Sequence, residues 1–495
     1  MTTDVLLGQA YFLKFDPKLA AARQPYAPLG TLYAAAAVRA RGYVPALFDA
    51  MLAESEADWA KALDGRRPSF AVLYEDNFNY LTKMCLLRMR QAALTMIEAA
   101  RVRGIPIAVA GSDATDHPEV YLAAGANAVI TGEGEATVCD LLDAWSGRSA
   151  GPLREVRGLC WRGDDGALIR TPAREAARDL DAMPRPAWDL VDVDRYRQLW
   201  LRAHGYFSMN IATTRGCPYH CNWCAKPIYG QRYNARSPES VVDEIYELSA
   251  RYRPDHLWIV DDIFGLKPGW IERFATAAAA RGVRVPFRCL LRADGVTPAV
   301  TEALAKAGCR TAWIGAESGS QRVLDAMEKG VQVGQIHEAA ARLHEAGIEV
   351  GFFLQFGYPG ETREDIERTL VMVRECRPDD IGVSVSYPLP GTPFYERVKA
   401  QLGDKQQWTD SNDLAVMYPA TYPPEFYRTL HGLVHAEFRA GKGFSPYQML
   451  RAWVLRRRVD RLAHLPGGAP RPIRLQPVLT RQAAAIPSDQ SAVRP

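Results

Sequence analysis

The sequence predicts two successive α/β units, an N-terminal doubly wound parallel sheet and a partial (β/α)6 barrel, followed by a small helical C-terminal region. Three observations predict this. Five short β-like runs alternate with helix-length segments up to about Trp145, a polar Pro-containing stretch breaks the alternation, and six further apolar runs resume it from Phe207. Strands joined by helical crossovers pack as parallel sheets.

In the first unit the runs are Asp4 to Gly8, Val44 to Asp49, Phe70 to Tyr74, Pro106 to Ala110 and Ala128 to Thr131, with helical spacing in Leu29 to Arg41 and Leu81 to Arg103. Ligands of such sheets bind in the loops beyond the strands' carboxyl ends. Those loops hold Gly111, Ser112 and Asp113 after the fourth strand and Gly132-Glu133-Gly134-Glu135 after the fifth. Residues 147–203, with Pro152, Pro172, Pro184 and Pro186, read as a linker carrying a few strands of its own.

The second unit, 204–400, has runs at Met209 to Thr213, Leu257 to Val260, Val285 to Leu290, Thr311 to Ile314, Val350 to Phe356 and Ile381 to Val385. Ser237-Pro238 and Thr297-Pro298 each place a capping hydroxyl before a proline at the first helical position. Barrel chemistry sits at the strands' C-terminal ends. Residues 401–465 form the helical C-terminal region, and 466–495 lack any apolar period and are expected to be disordered.

Composition narrows the function classes. Of 495 residues 48% are hydrophobic and 24% charged, and 60 Lys+Arg against 57 Asp+Glu leave a net charge of +3, so no global field points to nucleic acid. Asp4, Lys14 and Asp16 interrupt any signal-peptide core, and no later run approaches the roughly 18 apolar residues of a membrane span, so a cytoplasmic protein is expected. Three of the nine cysteines lie within eight positions, which favours metal or redox chemistry over a disulfide framework.

Directly after the first barrel strand the chain reads Thr214-Arg215-Gly216-Cys217-Pro218-Tyr219-His220-Cys221-Asn222-Trp223-Cys224, a C-x3-C-x2-C pattern. Structural zinc normally takes four closed ligands in two separated pairs, whereas one loop here offers three thiols. A 4Fe-4S cluster held by three thiolates keeps one iron open to an external ligand, as a catalytic metal requires. A zinc loop completed by His220 is the competing reading.

Cys217, Cys221 and Cys224, with Trp223 before the last of them, resemble the cluster motif of the radical S-adenosylmethionine (SAM) enzymes. Further motifs follow the later strands: Asp261-Asp262-Ile263-Phe264, Arg292-Ala293-Asp294, Gly315-Ala316-Glu317-Ser318-Gly319, Gly357-Tyr358-Pro359-Gly360-Glu361-Thr362 and Pro388-Leu389-Pro390-Gly391-Thr392-Pro393. Together, over about residues 4–400, they resemble the subgroup that joins a cobalamin-binding domain to a radical SAM barrel, including the anaerobic magnesium-protoporphyrin ester cyclase and many methylases. The resemblance implies SAM chelating the open iron and reductive cleavage to a 5′-deoxyadenosyl radical. An external one-electron reductant such as flavodoxin or ferredoxin is then a partner, and a small molecule is the substrate.

SAM presents a sulfonium, an amino-acid head, a ribose and an adenine, so its pocket needs carboxylate or carbonyl acceptors and a cation. Glu317 with Ser318, and Arg292, supply those types; Asp262 offers a polar contact, Gly357 and Gly360 allow close backbone approach, and Trp223 offers an aromatic face to adenine. Ordinary rim salt bridges, strand-end capping, tight turns and core filling are the structural alternatives for these residues.

The Gly132-Glu133-Gly134-Glu135 turn follows the fifth strand, while a dinucleotide fingerprint belongs after the first. Nicotinamide and flavin are therefore disfavoured. By resemblance, Pro28, Gly30, Gly111, Ser112, Gly132, Glu133 and Gly134 look like cobalamin-domain positions. No histidine precedes His117, so a D-x-H-x-x-G lower ligand is absent and cobalamin is expected base-off, without a histidine ligand.

Cys85, Cys139, Cys160, Cys289, Cys309 and Cys376 read as small buried hydrophobes. The stretch 447–465 carries Arg451, Arg456, Arg457, Arg458 and Arg461 against Asp460. Such a helix can make weak contact with an anionic membrane surface, although docking on the barrel is preferred. The expected function is a cobalamin-dependent methyltransferase acting on an unactivated carbon by deoxyadenosyl-radical hydrogen abstraction and methyl transfer from methylcobalamin. A radical cyclase, rearrangement or oxidation enzyme is the alternative, and a non-catalytic iron-sulfur or cobalamin sensor is the third reading.

Overall fold

Two parallel sheets organise the chain in the computed structural model, which describes residues 3–79, 84, 86–149, 151–226 and 228–464. Cys85 and the stretch 466–495 lie outside the described residues.

The first sheet contains β1 (Val5–Gly8), β2 (Pro45–Phe48), β3 (Phe70–Tyr74), β4 (Ile107–Ala110), β5 (Ala128–Ile130), β6 (Leu159–Arg162) and β7 (Leu168–Arg170) in the order β2-β1-β3-β4-β5-β6-β7. The first five pair in parallel, and β1 bonds to both β2 and β3. The crossover direction therefore reverses between β1 and β3, which opens a crevice at their carboxyl ends. Alternate side chains enter two cores: Leu6, Leu73, Val109 and Val129 pack with Trp59 and Met96 on one face, and Leu7, Val72 and Ala108 pack with Ala34, Val138 and Leu142 on the other. That two-sided burial is why these strands read as continuous apolar runs.

Residues 147–203 do not keep their strands to themselves. β6 pairs antiparallel with β5, and β7 closes a hairpin on β6, so the stretch extends the first sheet. Leu159 and Cys160 bury β6 against the two cores.

The second sheet is a sequential half-barrel, β15-β14-β13-β12-β11-β8, built from β8 (Ser208–Ile211), β11 (His256–Ile259), β12 (Phe287–Leu291), β13 (Cys309–Glu317), β14 (Glu349–Phe356) and β15 (Asp380–Val385). All its pairings are parallel. The caps read from sequence form: Ser237 accepts from the Ser240 amide at 3.1 Å and Thr297 from the Val300 amide at 3.3 Å. Between β8 and β11 a short antiparallel pair, β9 (Thr214–Arg215) with β10 (Asn234–Ala235), pinches the base of a long loop.

The helices Pro424–Gly441 and Pro446–Ala463 form a hairpin on the half-barrel. Glu367 and Glu437 pair with Arg456, and Arg363 pairs with Asp460, which docks one side of the last helix. Leu450 and Trp453 on its other side are 61% and 51% exposed. Among the described residues no helix is long and apolar enough to cross a membrane.

Candidate active site: the cysteine loop and the strand ends around it

The cysteine loop is held at its neck. Asp261, at the end of β11, accepts from the Thr213 and Thr214 amides at 2.7 and 2.9 Å and from the Thr213 hydroxyl. Asp261 thus caps the strand end. Gly216 has φ +81°, and a Cβ there would lie 2.4 Å from the Arg232 carbonyl oxygen, so only glycine lets the two arms of the loop close.

Beyond the neck, Cys217, Cys221 and Cys224 are free thiols of intermediate exposure. Burial raises the Cys217 thiol and pushes Cys224 up to about 12, against the pull of Lys226. Among the described residues no three Cys, His, Asp or Glu side chains converge on a point that one metal ion could occupy. A cubane asks for something else, because each thiolate meets a different iron. The loop suits that donor set: three partly exposed thiols on one short loop that is backed by protein.

Asn222 provides the backing. Its amide donates to the Met327 carbonyl at 3.0 Å, its Nδ2 to the Ala326 carbonyl at 2.8 Å, and its Oδ1 accepts from the Tyr358 hydroxyl at 2.9 Å, while its carbonyl accepts from the Phe394 amide at 2.9 Å. One fully buried residue thus ties the cysteine loop to segments following β13, β14 and β15. Sequence reasoning passed over it, since an asparagine between two cysteines carries no periodic signal.

Opposite the thiols lies a buried group of alternating charge. Glu317 ends β13 at a register shift with φ +56°, and its Oε1 lies 2.9 Å from Lys329 Nζ. A Cβ on Gly315 would fall 2.7 Å from both of those atoms, so the glycine makes the space they share. Burial works against the Lys329 charge, but Glu317 and then Cys221 carry the net shift upward and keep the ammonium. Arg292 donates to the Lys329 carbonyl at 2.5 Å, pairs with Asp294 at 2.9 Å, lies 3.7 Å from the centre of the Tyr219 ring and brings Nη1 to 4.0 Å from Cys221 Sγ. Arg292 and Glu317, singled out from sequence, are thus brought together, and Lys329, which sequence reasoning missed, joins them. A carboxylate and two cations beside an open cluster could receive an amino-acid head group.

The remaining SAM positions divide. Ser318 turns away: its hydroxyl shares a 3.1 Å hydrogen bond with Thr369 and accepts from the Ser320 amide. Gly357 (φ +83°) donates to Glu361 at 2.6 Å and accepts from the Tyr418 hydroxyl at 2.5 Å, and the Gly360 carbonyl accepts from Arg322 at 2.9 Å, so both serve the turn. Trp223 packs against the cluster of Val323, Met327, Tyr358 and Phe394, with its indole N–H buried and without a partner among the described residues. Asp262 is exposed at the end of β11, close enough to act on the Cys217 and Cys224 thiols.

The N-terminal sheet turns its loops toward this loop. At the switch point Glu75 accepts from the Ala10 amide at 3.1 Å, and burial pushes its carboxyl up to about 8. Asp76 accepts from the Gly30 amide at 2.9 Å, and a Cβ on Gly111 would fall 2.8 Å from the Glu75 side chain. Ser112 Oγ and Asn77 Oδ1, at the ends of β4 and β3, are buried without partners among the described residues. Orphaned polar atoms at a switch point suit a polar, amide-rimmed cofactor. Pro28 precedes the helix Leu29–Ala40, beside the segment in which Pro25 and Ala27 accept from Trp200 and Asn210. Gly132 (φ +73°) and Gly134 shape the turn after β5, where the Gly134 amide donates to Tyr74 at 3.2 Å. Glu133 does not stay open to a ligand, because it pairs with the buried Arg215 and accepts from the Ala177 amide at 2.7 Å.

A half-barrel with a three-thiol loop after its first strand, facing a doubly wound sheet, defines a class, and residues 211–373 match the model of the Radical SAM superfamily. The chain therefore carries a radical SAM domain. It is 30% identical over 273 residues to an uncharacterized methyltransferase of Pyrococcus horikoshii, covering 54% of this chain and 57% of that protein. With the anaerobic magnesium-protoporphyrin IX monomethyl ester cyclase of Rubrivivax gelatinosus it shares 26% identity over 309 residues, 60% of this chain and 53% of that one. The chain thus spans little more than half the length of these two relatives. In fold it is similar to the radical SAM methyltransferase TsrM from Kitasatospora setae, solved with cobalamin and a [4Fe-4S] cluster, with a TM-score of 0.68, 18% identity and coverage of 92% of this chain and 91% of that one.

Proposed function

We propose that the chain is a cobalamin-dependent radical SAM methyltransferase of the cytoplasm that methylates an unactivated carbon of a small molecule. The observation that carries the proposal is the position of the thiol loop, between the buried Glu317–Lys329–Arg292 group and the orphaned polar edge of the N-terminal sheet. The names of the similar proteins support the same reading.

In this reading Cys217, Cys221 and Cys224 hold the cluster, Arg292, Lys329 and Glu317 receive the SAM head group, and the Gly111-Ser112 and Gly132 to Gly134 loops border a base-off cobalamin. When bound, these groups supply a one-electron cleavage of SAM and a transferable methyl group. The protein's part is to orient and to exclude water. Asn222 fixes the cysteine loop, Lys329 keeps its charge because Glu317 is beside it, and residues after β4 of the N-terminal domain share a cavity with Ala225 and the loop after β15. Electrons come from an external reductant such as flavodoxin or ferredoxin, and the outer face of the helix Pro446–Ala463 is left for weak membrane-surface contact.

The test is product stoichiometry. Reduced holoprotein with methyl-labelled SAM and a working substrate should yield 5′-deoxyadenosine and S-adenosylhomocysteine together, with label in the product. The relative named as a cyclase favours a second reading, radical chemistry without methyl transfer. Deoxyadenosine without S-adenosylhomocysteine or labelled product would select it, and no SAM cleavage under reduction would select a sensor.

A further inference from the structure

A cavity of about 250 Å³ lies between the two domains, bounded by Ala225, next to Cys224, by Leu389 and Pro390 of the loop after β15, and by Asp113, Asp116 and His117 after β4. Its size is that of a small molecule and well short of a corrin ring. Val120, Leu389 and Pro390 give the lining an apolar part. The rest of the lining carries charge, and its charges do not balance.

Asp113 is fully engaged: Arg90 Nε donates to it at 2.7 Å, the Tyr121 hydroxyl at 2.5 Å and Gln407 Nε2 at 3.3 Å. Arg90 and Asp113 therefore cancel. His117 Nε2 lies 4.0 Å from the same carboxylate and gains its charge only on protonation. Asp116 is different, since among the described residues it has neither a hydrogen bond nor an ion pair, although it is half-buried on the cavity wall. The cavity thus carries one uncompensated carboxylate. A carboxylate withdrawn from water is stabilised by an opposite charge and penalised by a like one.

We propose that this cavity receives the substrate and that the group of the substrate lying against Asp116 is a protonated amine, with an apolar portion along Leu389 and Pro390. The inference rests on the proposed enzymatic function and narrows its substrate class. Burial and the neighbouring Asp113 push Asp116 up to about 7, the strain that a bound ammonium would relieve. An anionic substrate would place a second negative charge beside it, and a neutral one would leave it unpaired.

The test is binding, which is independent of SAM cleavage. Holoprotein reconstituted with cluster and cobalamin is titrated with 3-methylbutylamine, 3-methylbutan-1-ol and 3-methylbutanoate, and binding is followed by saturation-transfer NMR. The amine should bind at least about tenfold more tightly than the alcohol, and the carboxylate should not bind. Asp116→Asn should bring amine and alcohol level, and Val120→Lys, which puts an ammonium into the same lining, should displace the amine while leaving the fold intact. Equal binding of amine and alcohol, preference for the carboxylate, an amine preference that survives Asp116→Asn, or no binding of any probe would overturn the proposal. Each of those results with SAM cleavage intact would remove the substrate class and leave the enzyme; loss of cleavage with amine binding retained would do the reverse.

Discussion

Arg215 Nη2 lies 2.8 Å from Glu135 Oε1, and the same guanidinium pairs with Glu133, so a residue two positions before Cys217 is buried in a carboxylate clamp supplied by the other domain. The rings of Tyr33 and Tyr229 flank it at 5.1 and 5.3 Å. Removing one partner of a buried ion group strands the others. Arg215→Met should lower stability by about 3–5 kcal/mol in urea unfolding, with loss of iron on gel filtration. Adding Glu133→Gln and Glu135→Gln should recover most of the midpoint. A single Arg215→Met change with an unaltered midpoint would contradict the coupling.

The cluster assignment predicts a compositional result. After anaerobic reconstitution the wild type should hold iron and sulfide in equal amounts, and the variant with alanine at Cys217, Cys221 and Cys224 should hold neither, with unchanged far-ultraviolet circular dichroism. The cysteines sit on a loop rather than in either sheet, so the fold does not need them. Zinc without sulfide in the wild type would reinstate the zinc loop.

The sheets were legible because burial on two faces leaves runs such as Phe70 to Tyr74 and Val350 to Phe356 almost wholly apolar, and every such run lies on a strand. Arg292 and Glu317 were legible from their positions at strand ends. Lys329 and Asn222 were not, because their significance comes from contacts across the half-barrel that leave no local pattern. The Glu133–Arg215 pair spans 82 positions, and a glutamate in a Gly-Glu-Gly-Glu turn looks the same whether it meets a cofactor or an arginine. The strands of 147–203 were visible, but their partner, β5, was not, since edge pairing is set by tertiary packing.

Glu317 and Ser318 adjoin in sequence and separate in role, which gives a paired prediction. Glu317→Gln should weaken SAM binding at least about tenfold in equilibrium dialysis, because Lys329 loses its counter-charge in a buried site. Ser318→Ala should change SAM affinity less than about twofold while costing about 1 kcal/mol of stability through the lost Thr369 bond. Equal losses of affinity in the two variants would place the serine in the pocket after all.

Glu361 makes stability fall with rising pH. It is fully buried, accepts from the Gly357 amide through Oε2 at 2.6 Å, and has no partner for Oε1 among the described residues. Burial, and then the Gly357 bond and Asp365 acting in opposite senses, pushes its carboxyl from 4.5 up to about 8. Below the unfolded value both states are protonated and the group contributes nothing to the difference. As pH rises from 4.5 toward about 8 the unfolded chain releases a proton that the folded chain keeps, so folding loses stability on the order of a few kcal/mol. Above that window both states are ionised and the loss levels off. Glu361→Gln carries no such proton, so its urea midpoint should decline less than that of the wild type between pH 5 and about 8. Parallel declines in the two proteins would mean that Glu361 is ionised in the folded state at neutral pH.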